Sequence, residues 1–183
     1  MFNKFLFYLR NRVIIDKNNT LCISTKSKIK RSIIKIRGQN NKLIINDNCN
    51  LNRVNIEIRG ENSTVIIGAN TIIGKNTYLS AKEGCNIFIG KNCMFSRNIN
   101  ILTSDGHSIR CGKDRINKAE SIHIKDNVWI ADEVIILKGV LVSEHSVIGT
   151  GSLVNKKFEQ KGVILAGNPA KICKTNITWD SNL

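Results

Sequence analysis

An all-β solenoid, a parallel β-helix, is the fold class this sequence predicts, on three observations. First, Ile122 to Lys157 reads in steps of six: IHIKDN, VWIADE, VIILKG, VLVSEH, SVIGTG, SLVNKK. The third residue of each step is Ile124, Ile130, Ile136, Val142, Ile148 and Val154, while the first is β-branched or small. No helix has a period of six; a short strand with two inward side chains followed by a corner does. Second, Ile36-Arg37-Gly38-Gln39-Asn40-Asn41-Lys42-Leu43-Ile44-Ile45 recurs 22 residues later from Ile58 to Ile67. Third, only 5% of residues are aromatic and Pro169 is the one proline, so the core must be stacked Ile, Val and Leu.

Taken in order, residues 1–31 read as an N-terminal cap. The apolar run Phe5 to Leu9, between Lys4 and Arg10, is too short to span a membrane and lacks a signal-peptide cleavage region. It reads as a plug on the open end of the solenoid, with peripheral contact to a membrane surface as the other use of a basic, aromatic segment. The β-helix is predicted over 32–155. Its early turns exceed three hexads by about four residues, inserted at one corner where Gly and Asn cluster, as positive φ requires.

The register breaks at 102–121, a polar stretch without a period. It is predicted to be an excursion loop, and long structureless loops in compact domains are more often functional than idle. Residues 156–183 form a tail that folds back or caps. Nothing in the composition argues for a second domain.

The middle residue of each late strand faces outward: His123, Trp129, Ile135, Leu141, Val147, Leu153. Residues 18 apart share a side, so Trp129 is expected against Val147 and Ile135 against Leu153. Such apolar outward residues ask for a cover, and a homo-oligomer packed through one side supplies it.

With 28 Lys and Arg against 14 Asp and Glu, the net charge of +14 implies an anionic partner or a membrane surface. Nucleic acid is not expected: the basic residues are scattered and stacking platforms are missing. The six cysteines have no CxxC pair; they read as reduced core thiols and point to the cytoplasm.

The hexads, the VWIA of 128–131, SVIGTGSLV of 146–154 and AGNPAK of 166–171 resemble the left-handed β-helix acyltransferases, the hexapeptide-repeat family. Within it the chain is most similar to sugar and surface-polysaccharide O-acetyltransferases. The resemblance is specific from about Ile87 to Lys174. It implies a left-handed coil, a homotrimer of three-sided prisms, and acetyl-CoA lying between adjacent subunits.

It also implies roles for particular residues. His107, in Ser104-Asp105-Gly106-His107-Ser108, corresponds to the family's general base, a task suited to an imidazole that takes a proton near neutrality and returns it. Asp105 could hold the ring, or a backbone carbonyl could. Trp129 corresponds to a residue lining the pantetheine channel, although an outward Trp also suits a subunit seam. The corners at Ala131-Asp132 and around Thr150 are expected to offer backbone groups to the pantetheine amides. Lys156 and Lys171, with Asn155, are expected toward the phosphate and adenine end. His123 and His145 lack the ligand spacing of the zinc-binding β-helices, so no metal is expected.

No serine or cysteine nucleophile with a base is evident, which leaves direct attack of a hydroxyl on the thioester. The acceptor is expected to involve Ser80-Ala81-Lys82-Glu83-Gly84, and the Asn and Asp pair of galactoside acetyltransferases is not recognisable. The expected function is acetyl-CoA-dependent O-acetylation of a surface polysaccharide, capsule or lipopolysaccharide, or of its anionic or lipid-linked precursor. That would take place in the cytoplasm or at the inner face of the membrane. A small nucleotide sugar as acceptor and a non-catalytic glycan-binding module are the alternatives.

Overall fold

A computed structural model describes residues 4–181; Met1 to Asn3 and Asn182 to Leu183 lie outside the described residues. Three parallel sheets form the sides of a prism. The first side carries Arg12–Ile15, Ile33–Gln39, Asn55–Glu61, Tyr78–Lys82, Asn100–Leu102, Ile135–Ile136 and Leu153–Val154. The second carries Thr20–Ile23, Lys42–Ile45, Thr64–Ile67, Ile87–Ile89, Ile122–Ile124 and Leu141–Val142. The third carries Lys28–Lys30, Asn50–Asn52, Ile72–Ile73, Met94–Phe95, Trp129–Ile130, Val147–Ile148 and Ile164–Gly167. Six complete turns result, with a seventh begun.

The register follows the sequence period. Inward residues stack in columns such as Ile56, Leu79, Ile101, Ile136 and Val154 on the first side, each fully buried. Burying each such side chain stabilises the fold by about 1.5–3 kcal/mol. Outward, Trp129 pairs with Val147 and Ile135 with Leu153, as the 18-residue spacing predicts.

Each corner needs a residue of positive φ, and asparagine usually supplies it. Asn48, Asn70, Asn92 and Asn127 make one such column between the second and third sides, continued by His145 and Gly162. The Asn48–Asn70 and Asn70–Asn92 side-chain amides hydrogen-bond to one another at 3.2 and 3.0 Å. Between the first and second sides the early turns carry their extra residues. There Gly38, at φ +97°, lies so close over Gly60 that a Cβ would sit 2.0 Å from its carbonyl oxygen. The excursion loop leaves the fifth turn from this same corner.

Three expectations need correction. The β-helix starts at Arg12 rather than Ser32, because three earlier strands pair in parallel with the second turn. Their inward residues Val13, Ile15, Leu21 and Ile23 are only partly buried at the open end, and polar neighbours mask their period. At the other end the coil does not stop near residue 155: Phe158 bridges Val142 and Ile164–Gly167 continues the third side. The chain then reverses into Ala170–Lys174, antiparallel to it. Of the cysteines, Cys49 and Cys93 are buried, with burial pushing the Cys93 thiol up to about 12, but Cys22, Cys111 and Cys173 are exposed. All six are free.

Helix Lys4–Arg10 closes the N-terminal end. Phe7 is part of the core, and the buried Asn11 amide donates to the Phe7 and Ile29 carbonyls at 2.9 and 3.0 Å. No helix among the described residues is long and apolar enough to cross a membrane.

Candidate active site

The excursion loop is closed at its base. Thr103 points inward and is fully buried, its hydroxyl accepting the Lys82 N–H at 2.9 Å, and the Glu120 N–H donates to the Thr103 carbonyl at 3.0 Å. Above this the loop folds into a small antiparallel pair, Arg110–Cys111 with Asp114–Arg115. Between the pair and the base, residues 104–109 form an arch with His107 exposed near its tip.

Asn117 holds the arch in shape. It is 7% exposed, and its amide donates to the Asp105 carboxylate and the His107 carbonyl, both at 2.8 Å, while its oxygen accepts the Ile109 N–H at 2.7 Å. Two ion pairs fasten the arch to neighbouring turns. Arg115 clamps Glu83 of the turn below at 2.5 and 3.1 Å, and Ser104 donates to the same carboxylate. Arg115 foremost, then Ser104, hold the Glu83 carboxyl well down, at about 2. Lys138 of the turn above pairs with Asp105, and with Asn117 it lowers that carboxyl too.

Asp105 therefore does not orient His107 as the sequence suggested. Its carboxylate faces Lys138 and Asn117, and no hydrogen bond to the imidazole is made among the described residues. Of the stretch Ser80 to Gly84, Ser80 and Ala81 are buried and Gly84 carries no side chain, which leaves the side chains of Lys82 and Glu83. With Arg59, Gly60 and Gly106 these line a cleft of about 400 Å³ at the foot of the arch. Arg37, Arg59 and Lys82 follow one another in register on successive turns beside it. Lys82 also lies 3.7 Å from Glu57, whose carboxyl is lowered by the Tyr78 hydroxyl and by Lys82, Lys35 and Arg59.

Trp129 belongs to the same turn but to its third side, the side opposite the corner from which the arch rises. Its ring is half-buried, with the indole N–H 3.5 Å from the Ser96 hydroxyl. Next to it the Ala131 N–H donates to the Ile148 carbonyl and the Asp132 carbonyl accepts from Gly151, both at 2.9 Å. The Asp132 carboxylate is held by Arg97 at 2.6 Å.

Thr150, exposed, tops the same corner, and Lys171 stands opposite Ala166, whose methyl packs where a Gly149 Cβ would be, 3.3 Å away. Asn155 and Lys156 do not join this group. They follow the last strand of the first side, at the corner that carries the arch two turns earlier, and Lys156 lies 5.5 Å over the Phe158 ring.

His123 stacks on Phe88 with ring centroids 5.0 Å apart, and burial lowers its pKa. No group of three or more metal-ligating side chains occurs among the described residues. Sequence reasoning missed the supports Asn117, Arg115 and Lys138, which look like ordinary solvated residues until folded, and named Glu83 only as part of the acceptor stretch. It also missed Trp179, packed on Trp129 at 6.0 Å, although a second tryptophan in the tail was a visible signal.

A parallel β-helix with one anchored, histidine-bearing loop and an outward tryptophan is the arrangement expected from the resemblance to β-helical acyltransferases. Comparisons with known proteins test that resemblance. No family model matches the chain. The crystal structure of the polysialic-acid-specific acetyltransferase NeuO is 34% identical, covers 94% of this chain and 90% of that one, and superposes with a TM-score of 0.79. The polysialic acid O-acetyltransferase OatWY is 30% identical over 94% and 91% of the two chains, with a TM-score of 0.74. A hexapeptide-repeat acetyltransferase of Vibrio cholerae O1 biovar eltor, solved with acetyl coenzyme A, is 28% identical over 61% and 60%, at 0.52. Curated sequences match over short stretches: chloramphenicol acetyltransferase of Agrobacterium fabrum is 41% identical over 58 residues, 32% of this chain and 27% of that protein. The chain thus spans less than a third of the curated relatives it matches. On its full-length likeness to NeuO and OatWY, the chain belongs to the left-handed β-helix, hexapeptide-repeat acyltransferases.

Proposed function

We propose that this protein transfers the acetyl group of acetyl-CoA to a hydroxyl of an anionic surface glycan of the polysialic acid type, or of its precursor, with His107 as general base. The observation that carries this reading is an exposed His107 on an anchored arch whose neighbouring residue, Gly106, lines a cleft together with Arg59 and Lys82. Full-length similarity to two polysialic acid acetyltransferases supports the acceptor class. In the reaction, His107 takes the proton of the sugar hydroxyl, the oxygen attacks the thioester carbonyl, the C–S bond breaks, and the imidazolium returns its proton to the coenzyme A thiolate. A backbone N–H at a corner meets the oxyanion.

The complete site requires a second copy of the chain. His107 and Trp129 stand at opposite poles of one turn, so a single prism cannot bring both to one thioester. Rotation about a three-fold axis can, by setting the arch of one subunit against the third side of the next. Ala131, Asp132, Thr150 and Lys171 then belong to the coenzyme wall with Trp129, while Asn155 and Lys156 belong to the wall that carries His107.

We assign the reaction to a reducing compartment, in keeping with six free thiols. Tyr8 and Leu9, exposed beside Arg10, suit contact with an anionic membrane surface.

The test is thiol release from acetyl-CoA with polysialic acid, neutral oligosaccharides and nucleotide sugars as acceptors. Turnover with the anionic polymer, lost in His107→Ala, is expected. Transfer that survives in the variant would falsify the general-base role, and turnover confined to neutral sugars would overturn the acceptor class.

A further inference from the structure

The chain has two tryptophans, 50 residues apart, and the fold brings them together with ring centroids 6.0 Å apart and planes tilted by 44°. No backbone ladder requires this. After the return strand Ala170–Lys174 the tail runs back along the corner between the second and third sides. The Ile177 N–H donates to the Gly162 carbonyl at 2.9 Å, and two turns lower the Trp179 indole N–H donates to the Asn127 carbonyl at 2.7 Å. Gly162 and Asn127 belong to one column of left-handed corner residues, so the tail is laid along a preformed edge.

A tail that only sealed apolar surface would need no particular donor. Here the indole is hung from a backbone carbonyl, which fixes the plane of its ring beside Trp129. Both rings remain half-buried, so the pair keeps accessible aromatic surface. Two rings inclined to one another make a trough suited to a slender chain of methylenes and amides, with indole surface for the methylenes.

We propose that Trp179 and Trp129 together form an aromatic wall of the acyl-CoA channel, and that the C-terminal tail is thereby part of the coenzyme site. This rests on the reading of Trp129 given under the proposed function. Trp179 acts on binding of the pantetheine arm and takes no part in proton transfer, so its removal affects KM for acetyl-CoA and leaves kcat and the acceptor KM nearly alone.

The experiment uses the full chain and coenzyme A as the probe. In Trp129→Phe, Trp179 is the only tryptophan, and its emission is expected to change saturably as coenzyme A is added. Trp179→Ala is expected to raise KM for acetyl-CoA about fivefold to tenfold with kcat within about twofold, and Trp179→Phe, which restores aromatic surface without the anchoring N–H, to recover only part of the loss. An unchanged KM in Trp179→Ala overturns the proposal, as does a lowered one, which would mean that the tail obstructs the channel. Constant Trp179 emission while calorimetry registers coenzyme binding to Trp129→Phe overturns it equally. Wild-type protein that binds no coenzyme A at all is a different result: it overturns the acetyltransferase reading, and this inference with it.

Discussion

The fifth turn has two poles built by opposite means. At the corner between the first and second sides, the hexad is interrupted and the arch is held by side chains: Asn117 within it, Arg115 to Glu83 below, Lys138 to Asp105 above. On the third side the hexad runs unbroken, and Trp129 is held by the parallel ladder itself, between Met94 and Val147. One pole is irregular, polar and dependent on a few charges; the other is regular and inherits its rigidity from backbone pairing. The difference teaches where each kind of group can be kept. On the proposed function, a base that must approach a bulky acceptor stands out on an arch, whereas a wall for a long coenzyme needs a straight, repeated surface.

That contrast can be broken experimentally, beginning with the largest effect. His107→Ala should lower transfer about 10²- to 10⁴-fold with thermal stability unchanged, as read by thiol release and calorimetry. Asn117→Ala should cost about 1–3 kcal/mol of local arch stability. It should lower kcat about tenfold or more, because His107 loses its fixed backbone while the prism remains. Hydrogen exchange confined to 104–117 is the check. Ile136→Ala, in the core shared by both poles, should behave in the reverse way, with about 2–5 kcal/mol lost from global stability and a lower Tm.

The ion pairs at the arch give a pH dependence of definite sign. The Glu83 carboxyl stands at about 2 in the folded chain against an ordinary 4.5, so its clamp stabilises the arch above pH 4.5 and is lost as pH falls through 2. Exchange protection of the loop should fall in that window, and Glu83→Gln should abolish the acid step. Both ends of this pair are partly exposed, so the effect is local and weakened by salt. The smallest effect is expected from Lys171→Ala, an exposed residue of the proposed coenzyme wall: a KM for acetyl-CoA raised about twofold to threefold, with kcat intact.

The two poles were also unequally legible in the sequence. The regular one could be read almost residue by residue, because inward and outward positions follow from a period of six, and Trp129 fell on the third side against Val147 as that period requires. The arch could be located, since the register stops at 102 and resumes at 122, but its internal wiring could not. Asn117 and Glu83 have no periodic signature, and whether Asp105 turns to His107 or to Lys138 depends on a lysine that only the next turn of the coil brings near. The first turn was missed for the opposite reason: its strands are regular, but at an open end their inward residues are too few and too polar-flanked to show it.

The central claim is that the two poles act together only across neighbouring subunits, and mixing two defective proteins tests it directly. His107→Ala and Trp129→Ala chains, each expected to be strongly impaired alone at limiting acetyl-CoA, are to be unfolded together, refolded and assayed for acetyl transfer. In a random trimer about a quarter of the seams receive His107 from one chain and Trp129 from its neighbour, so about a quarter of wild-type activity should return. Activity no higher than that of the separately refolded parents, in mixtures shown by mass spectrometry to contain mixed trimers, would contradict the account.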